Sequence, residues 1–158
     1  MRYYLAYGSN LNMKQMSRRC PDARPVGTAV IKDYELLFKG SRTGAFLTIE
    51  PKKGARVPVG VWEVSDDDVR NLDIYEGCPT FYYRTEVNLE MKPFKGRKEP
   101  IEAFVYIMHE DRVIEIPSNA YMETCFVGYT NFGFNHGYLI DAFRKSTVAV
   151  KRRVREAI

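Results

Sequence analysis

Runs in which apolar and polar residues alternate fill most of this chain, and stretches with apolar positions three or four apart interrupt them. The first spacing predicts half-buried strands and the second amphipathic helices. Arg2 to Ala6 reads as a short strand, with Tyr3, Tyr4 and Leu5 as strand formers, and Asn12 to Arg19 reads as a helix ended by Cys20-Pro21-Asp22. Two strand runs follow, Gly27–Ile31 and Tyr34–Phe38, split by Lys32-Asp33, and then a flexible loop over residues 40–44. Phe46 to Ile49 is a strand closed by Glu50-Pro51; Lys52-Lys53-Gly54 is a polar turn; Val57 to Val64 is a strand with Pro58 near its start, where proline is tolerated, and Trp62 in the core.

Ser65-Asp66-Asp67-Asp68 is a helix start, with Ser65 as cap and Asp68 at the capping-box position. That helix carries Val69, Leu72 and Tyr75 on one face, stops at Gly77 and cannot pass Pro79. Strands are expected over Tyr82–Met91 and Ile101–Met108, joined by a basic turn. Pro117-Ser118-Asn119 opens a helix through Tyr121, Met122, Cys125 and Tyr129, and Asn135 caps a last one with Tyr138, Leu139, Ile140 and Phe143 on its buried side. Six or seven strands at hairpin spacing with helices between them predict an α+β fold, a small mixed, mainly antiparallel β-barrel with peripheral helices.

Length fits one domain with a full core: 158 residues, 45% of them hydrophobic, exclude a disordered chain. Eleven Tyr and nine Phe strengthen the sheet reading. The net charge of +4 is concentrated near the end, in Arg144, Lys145, Lys151, Arg152, Arg153 and Arg155. Residues 147–158 are therefore set apart as a basic tail behind a domain over 1–146. A solvated, frayed end is favoured there over a nucleic-acid contact. Cys20, Cys78 and Cys125 are odd in number and lack metal-ligand spacing, so no disulfide framework, metal or other cofactor is expected. The chain opens on strand formers rather than a secretory leader, and no apolar run is long enough to span a bilayer, so a cytoplasmic protein without a membrane partner is expected.

Two stretches carry candidate chemistry. In Tyr7-Gly8-Ser9-Asn10-Leu11 a strand turns through a glycine toward a helix start, with Ser9 or Asn10 as cap. Such a turn presents free backbone N–H groups to an anion or oxyanion, or it is an ordinary capped turn. Glu76 sits in the last turn of its helix, at the negative end of the dipole, which disfavours a carboxylate by about 0.3–1 kcal/mol. Tyr75, Cys78, Phe81, Tyr82 and Tyr83 surround it in sequence. An apolar setting raises a carboxyl pKa and suits a proton shuttle; a surface glutamate at a helix end is the alternative. His109 and His136 share no motif, and Cys78 lacks a histidine partner. No phosphate loop or dinucleotide fingerprint is present.

Tyr4-Leu5-Ala6-Tyr7-Gly8-Ser9-Asn10-Leu11 resembles the signature of the γ-glutamylcyclotransferase-like family, and the likeness continues in order. Val57 to Val64 resembles its central strand, Leu72-Asp73-Ile74-Tyr75-Glu76-Gly77 its helix-end motif with the catalytic glutamate, and Tyr83-Arg84 the strand after it. Pro117-Ser118-Asn119-Ala120-Tyr121 resembles a late motif whose tyrosine lines the pocket, and Gly128 with the following helix also fits. The resemblance runs from Met1 to Phe143 and leaves out the basic tail. It implies a small mixed barrel whose enzymes cyclise a γ-glutamyl amide to 5-oxoproline without a cofactor. By the same resemblance Glu76 is the general acid and base, and Tyr7, Gly8, Ser9, Asn10, Leu11 and Tyr121 bind a small-molecule γ-glutamyl substrate. A non-catalytic binder on the same fold is the alternative. The leaving group, and whether the protein forms a homodimer, stay open.

Overall fold

A computed structural model describes residues 1–41 and 43–158; within the expected 40–44 loop, Arg42 lies outside the described residues. The strands are β1 (Arg2–Ala6), β2 (Arg24–Ser41), β3 (Gly44–Val64), β4 (Tyr82–Pro93), β5 (Glu99–Met108) and the two-residue β6 (Val113–Ile114). The helices are α1 (Met13–Arg19), α2 (Asp66–Glu76), α3 (Asn119–Phe132) and α4 (Gly137–Glu156), with one 3-10 turn at Ser9–Leu11.

β1 lies between β3 and β5, antiparallel to the first (Leu5 opposite Val61) and parallel to the second (Tyr3 opposite Ala103). β4 pairs antiparallel with β5 from Tyr82–Met108 to Met91–Glu99. β2 pairs along β3 and touches β4 at Gly27–Pro93 and Thr28–Lys92, which closes a five-stranded barrel; β6 adds to β2 beside Lys39 and Gly40. Inward residues alternate along β3, where Val57, Val59 and Val61 are fully enclosed, and meet Leu5, Leu47, Ile49 and Val105. Enclosing an aliphatic side chain of that size stabilises by about 1.5–3 kcal/mol. Trp62 is in this core, as expected.

The pieces expected as separate strands are continuous. Lys32-Asp33 and Lys52-Lys53-Gly54 read as turn signals, yet β2 and β3 run through them as one ribbon. The two interruptions face each other. Asp33 (φ 61°) and Gly54 (φ 84°) both take left-handed backbone, and Gly54 N–H donates to Asp33 Oδ1 at 2.9 Å. The register slips between Lys32 and Tyr34, so the signals form a bulge instead of two chain reversals.

The α2 capping box forms as read: Asp68 N–H donates to Ser65 Oγ (3.1 Å) and Ser65 N–H to Asp68 Oδ2 (3.2 Å). At the other end Gly77 is left-handed (φ 62°), and Cys78 N–H closes on Asp73 O at 2.9 Å. Ser118 caps α3, and α4 begins at Gly137, whose N–H donates to Asn135 Oδ1 at 2.7 Å. Ile140, expected on the buried side of α4, is exposed; Leu139, Ala142 and Ser146 form that side. The residues read as a frayed end, 147–156, continue α4 as helix. Lys145 Nζ to Glu35 Oε1 (2.6 Å) and Arg153 to Glu115 Oε1 (2.8 Å) and Ile114 O (2.9 Å) hold it against the barrel. Among the described residues no helix is long and apolar enough to cross a membrane, and no cluster of His, Cys, Asp or Glu could hold a metal ion.

Candidate active site

β1 runs out of the barrel at Ala6, and the chain turns through Tyr7 and Gly8 into the 3-10 turn. The cap of α1 is Asn12, whose Oδ1 accepts from Gln15 N–H at 3.1 Å, and not Ser9 or Asn10. The turn uses the N–H groups of Leu11 and Asn12, which donate to Gly8 O and Ser9 O at 3.0 Å. Among the described residues nothing accepts from the N–H groups of Gly8, Ser9 and Asn10. Gly8, Ser9 and Asn10 line a cavity, whereas Leu11 is fully buried in the core, against Gly60 and Gly128. Leu11, expected to bind substrate, is thus enclosed and does not line the cavity. Close packing fixes the loop: a Cβ on Gly128 of α3 would stand 2.7 Å from Asn12 N and 2.8 Å from Leu11 C.

The cavity holds about 230 Å³, room for about eight water molecules or one amino-acid-sized group. Glu76 reaches it from the last turn of α2 and is half-buried. Its Oε1 accepts from Asn10 Nδ2 at 3.2 Å, so the acid and the first loop share one wall. Burial pushes the Glu76 carboxyl up to about 7 against the opposing pull of the Arg19 guanidinium. A carboxyl group poised there exchanges a proton near neutral pH.

Tyrosines from β1, the first loop, β4 and α3 complete the walls. Tyr7 OH donates to Tyr106 O at 2.6 Å and Tyr82 OH to Leu47 O at 2.7 Å, while Tyr4 OH accepts from Asn10 Nδ2 at 2.8 Å. Tyr121 of α3 takes Leu47 N–H on its hydroxyl at 3.0 Å, and a Cβ on Gly8 would stand 3.3 Å from that oxygen. Burial raises the pKa of Tyr4, Tyr7, Tyr82 and Tyr121 well above the ordinary value, so all four stay neutral hydroxyls. Phe46, Phe81 and Tyr75 stand at the rim, with Phe46 edge-on to Tyr121 at 5.1 Å between ring centroids.

Behind this wall, Tyr106 OH donates to Asp73 Oδ1 at 2.6 Å, and Arg84 Nε lies 3.2 Å from the same oxygen. Asp73 is one turn before Glu76, so the pair pins the end of α2 to β4 and β5. Arg19 of α1 donates to Asn10 Oδ1, reaches Gln15 Oε1 at 3.3 Å, and lies over the Tyr75 ring at 3.4 Å from its centroid.

Of the residues singled out in the sequence, Glu76, Tyr7, Gly8, Ser9, Asn10 and Tyr121 thus meet around one cavity. Of the neighbours read around Glu76, Tyr75, Phe81 and Tyr82 line the cavity, while Tyr83 turns outward to Glu110 Oε2 at 2.9 Å. Cys78 is off the cavity wall, and Cys20 and Cys125 are core thiols that burial pushes up to about 12. His109 and His136 bond separately, to Pro79 O and Thr130 Oγ1. Sequence reasoning missed Tyr4, Phe46, Tyr106 and Arg19; they are scattered over three strands and a helix, and only pairing brings them together.

The family model "Gamma-glutamyl cyclotransferase, AIG2-like" matches residues 4–123. Over 76 residues the chain is 36% identical to gamma-glutamylaminecyclotransferase B of Danio rerio, covering 48% of this chain and 40% of that protein. Over 112 residues it is 31% identical to human gamma-glutamylcyclotransferase, covering 66% of this chain and 58% of that protein. The chain thus spans less than two thirds of the length of these relatives. A solved structure of a gamma-glutamyl cyclotransferase superposes with a TM-score of 0.73 at 25% identity, over 89% of this chain and 85% of that one.

Proposed function

This chain belongs to the AIG2-like gamma-glutamyl cyclotransferase family, and on that premise we propose that it cyclises a γ-glutamyl amide to 5-oxoproline, releasing an amine or amino acid. The observation that carries the reading is the 3.2 Å contact between Glu76 and Asn10. It sets an ionisable acid and a row of main-chain donors around one amino-acid-sized space.

Nucleophile and electrophile belong to the same substrate molecule, so the reaction calls for folding more than for a protein nucleophile. Holding the α-amine against the γ-carbonyl carbon supplies up to about 7–11 kcal/mol of the barrier. The Glu76 carboxylate takes a proton from the α-ammonium. The freed amine forms a C–N bond to the carbonyl carbon, and the carbonyl oxygen becomes an oxyanion. N–H groups of Gly8, Ser9 and Asn10 are suited to hold the substrate carboxylate and that oxyanion, and one oxyanion donor is worth about 2.7–4 kcal/mol. The oxyanion then collapses and the bond to the leaving nitrogen breaks as Glu76 gives its proton there; the second proton of the attacking nitrogen then passes through Glu76 to the released amine, which departs as ammonium and leaves the neutral lactam N–H. Every atom of the substrate is found in 5-oxoproline or the released amine. Tyr7 and Tyr121 shape the wall as neutral hydroxyls.

The test is 5-oxoproline release from a panel of γ-glutamyl amino acids and γ-glutamyl amines. The wild-type protein turns over at least one; Glu76→Gln keeps its fold and loses turnover by about 10²–10⁴-fold, the usual share of a general acid–base group. A Glu76→Gln variant working at near wild-type rates would refute the role, and no product from any compound would refute the cyclisation.

A further inference from the structure

We propose that Arg19 is a positioning residue for this reaction: it locks the Asn10 amide so that the NH₂ faces Glu76 and Tyr4, and it turns a positive charge toward the carboxyl. This inference rests on the cyclisation reading of the same cavity.

An asparagine amide has two nearly isosteric orientations, and its neighbours decide between them. On one side of Asn10 stands Arg19, which only donates and is always charged. It donates to Asn10 Oδ1. Opposite lie Glu76 Oε1 at 3.2 Å and the Tyr4 hydroxyl at 2.8 Å, both taken by Asn10 Nδ2. Turning the amide over would set a carbonyl oxygen against the carboxylate and an NH₂ against the guanidinium, two repulsive contacts in place of two attractive ones. Remove Arg19 and half of that selection is gone.

Arg19 is itself held. Its guanidinium lies over the Tyr75 ring, one residue before Glu76, and reaches Gln15 Oε1 at 3.3 Å on its own helix. Tyr75 OH is 3.2 Å from Ser9 Oγ. The chain of contacts therefore runs from α1 to the end of α2 and back to the first loop. Facing the Glu76 carboxyl from elsewhere in the chain are the hydroxyls of Tyr4 on β1, Tyr7 in the first loop, Tyr82 on β4 and Tyr121 on α3, all neutral. Among the described residues Arg19 is the charged group acting on the carboxyl, and it favours the ionised form against burial. A base that must accept the first proton needs that form.

The experiment compares wild type with Arg19→Met, Arg19→Gln and Arg19→Lys. It reads kcat/KM against pH, and independently the ¹³C NMR titration of the Glu76 carboxyl in free protein. In the two neutral variants the acid limb and the NMR midpoint both move to higher pH. Each pH unit of that rise cuts kcat/KM below the midpoint about tenfold. Arg19→Lys, which keeps the charge, moves both back toward wild type. Limb and midpoint left at their wild-type positions in either folded neutral variant overturn the inference, even if melting temperature falls. If wild type itself turns over no γ-glutamyl compound, cyclisation fails, and the NMR midpoint alone decides for or against Arg19.

Discussion

Replacing Glu76 with Gln should stabilise the protein at alkaline pH while cutting turnover. The acid sits where folding disfavours its charge: its carboxyl is at about 7 in the folded chain against an ordinary 4.5, because burial outweighs the attraction of Arg19. A raised folded-state value means that the native protein binds the proton more tightly than the unfolded chain. Stability therefore falls as pH rises from 4.5 to about 7 and levels off above. The gap is about 2.5 pH units, and at 1.36 kcal/mol for each it sets a ceiling of about 3 kcal/mol. Gln fills the same space without a charge and escapes this loss. Urea unfolding of both proteins at pH 5 and pH 8.5 reads the difference directly. The variant gains on wild type by about 1–3 kcal/mol between the two, or about 2–4 °C in melting temperature per kcal/mol at this chain length. A stability gap that stays constant across that range would refute the reasoning, since it would mean that folding does not perturb the Glu76 carboxyl.

Two further perturbations test how the site is held. Gly128→Ala places a methyl within 2.8 Å of backbone atoms of the first loop; it should cost about 1–3 kcal/mol by thermal unfolding and reduce 5-oxoproline formation at temperatures where the fold persists. Asp73→Asn weakens the hold of Tyr106 and Arg84 on the end of α2; it should leave the fold intact, with kcat reduced more than KM is raised, and an unchanged kcat would show that the clamp does not position Glu76.

Legibility in the sequence followed the range of the interactions. The capping box of α2 and its stop at Gly77 were readable because each is made of residues within one helix turn, and the structure keeps them unchanged. Lys32-Asp33 and Lys52-Lys53-Gly54 misled because a turn signal and a bulge use the same residue types. Only the pairing of β2 with β3 sets Asp33 beside Gly54 and turns two apparent breaks into one ribbon. Ser9 and Asn10 look as capable of capping α1 as Asn12 does, and the 3-10 turn that removes them from that role is too short to leave a periodic pattern. Glu76 stood out because a carboxylate at the wrong end of a helix dipole is anomalous on local grounds. Tyr4, Tyr106 and Arg19 did not, since tyrosine in a strand and arginine on an amphipathic helix are ordinary until the barrel closes.

The central claim is that one small molecule bridges the Glu76 carboxyl and the main-chain donors of the first loop. A crystal structure of the protein soaked with 5-oxoproline tests it most directly. The account predicts product in the 230 Å³ cavity, its carboxylate or ring oxygen on the N–H groups of Gly8, Ser9 or Asn10 and its ring nitrogen within hydrogen-bond reach of Glu76. Product bound elsewhere, or bound there with Glu76 out of reach of the ring nitrogen, would contradict it.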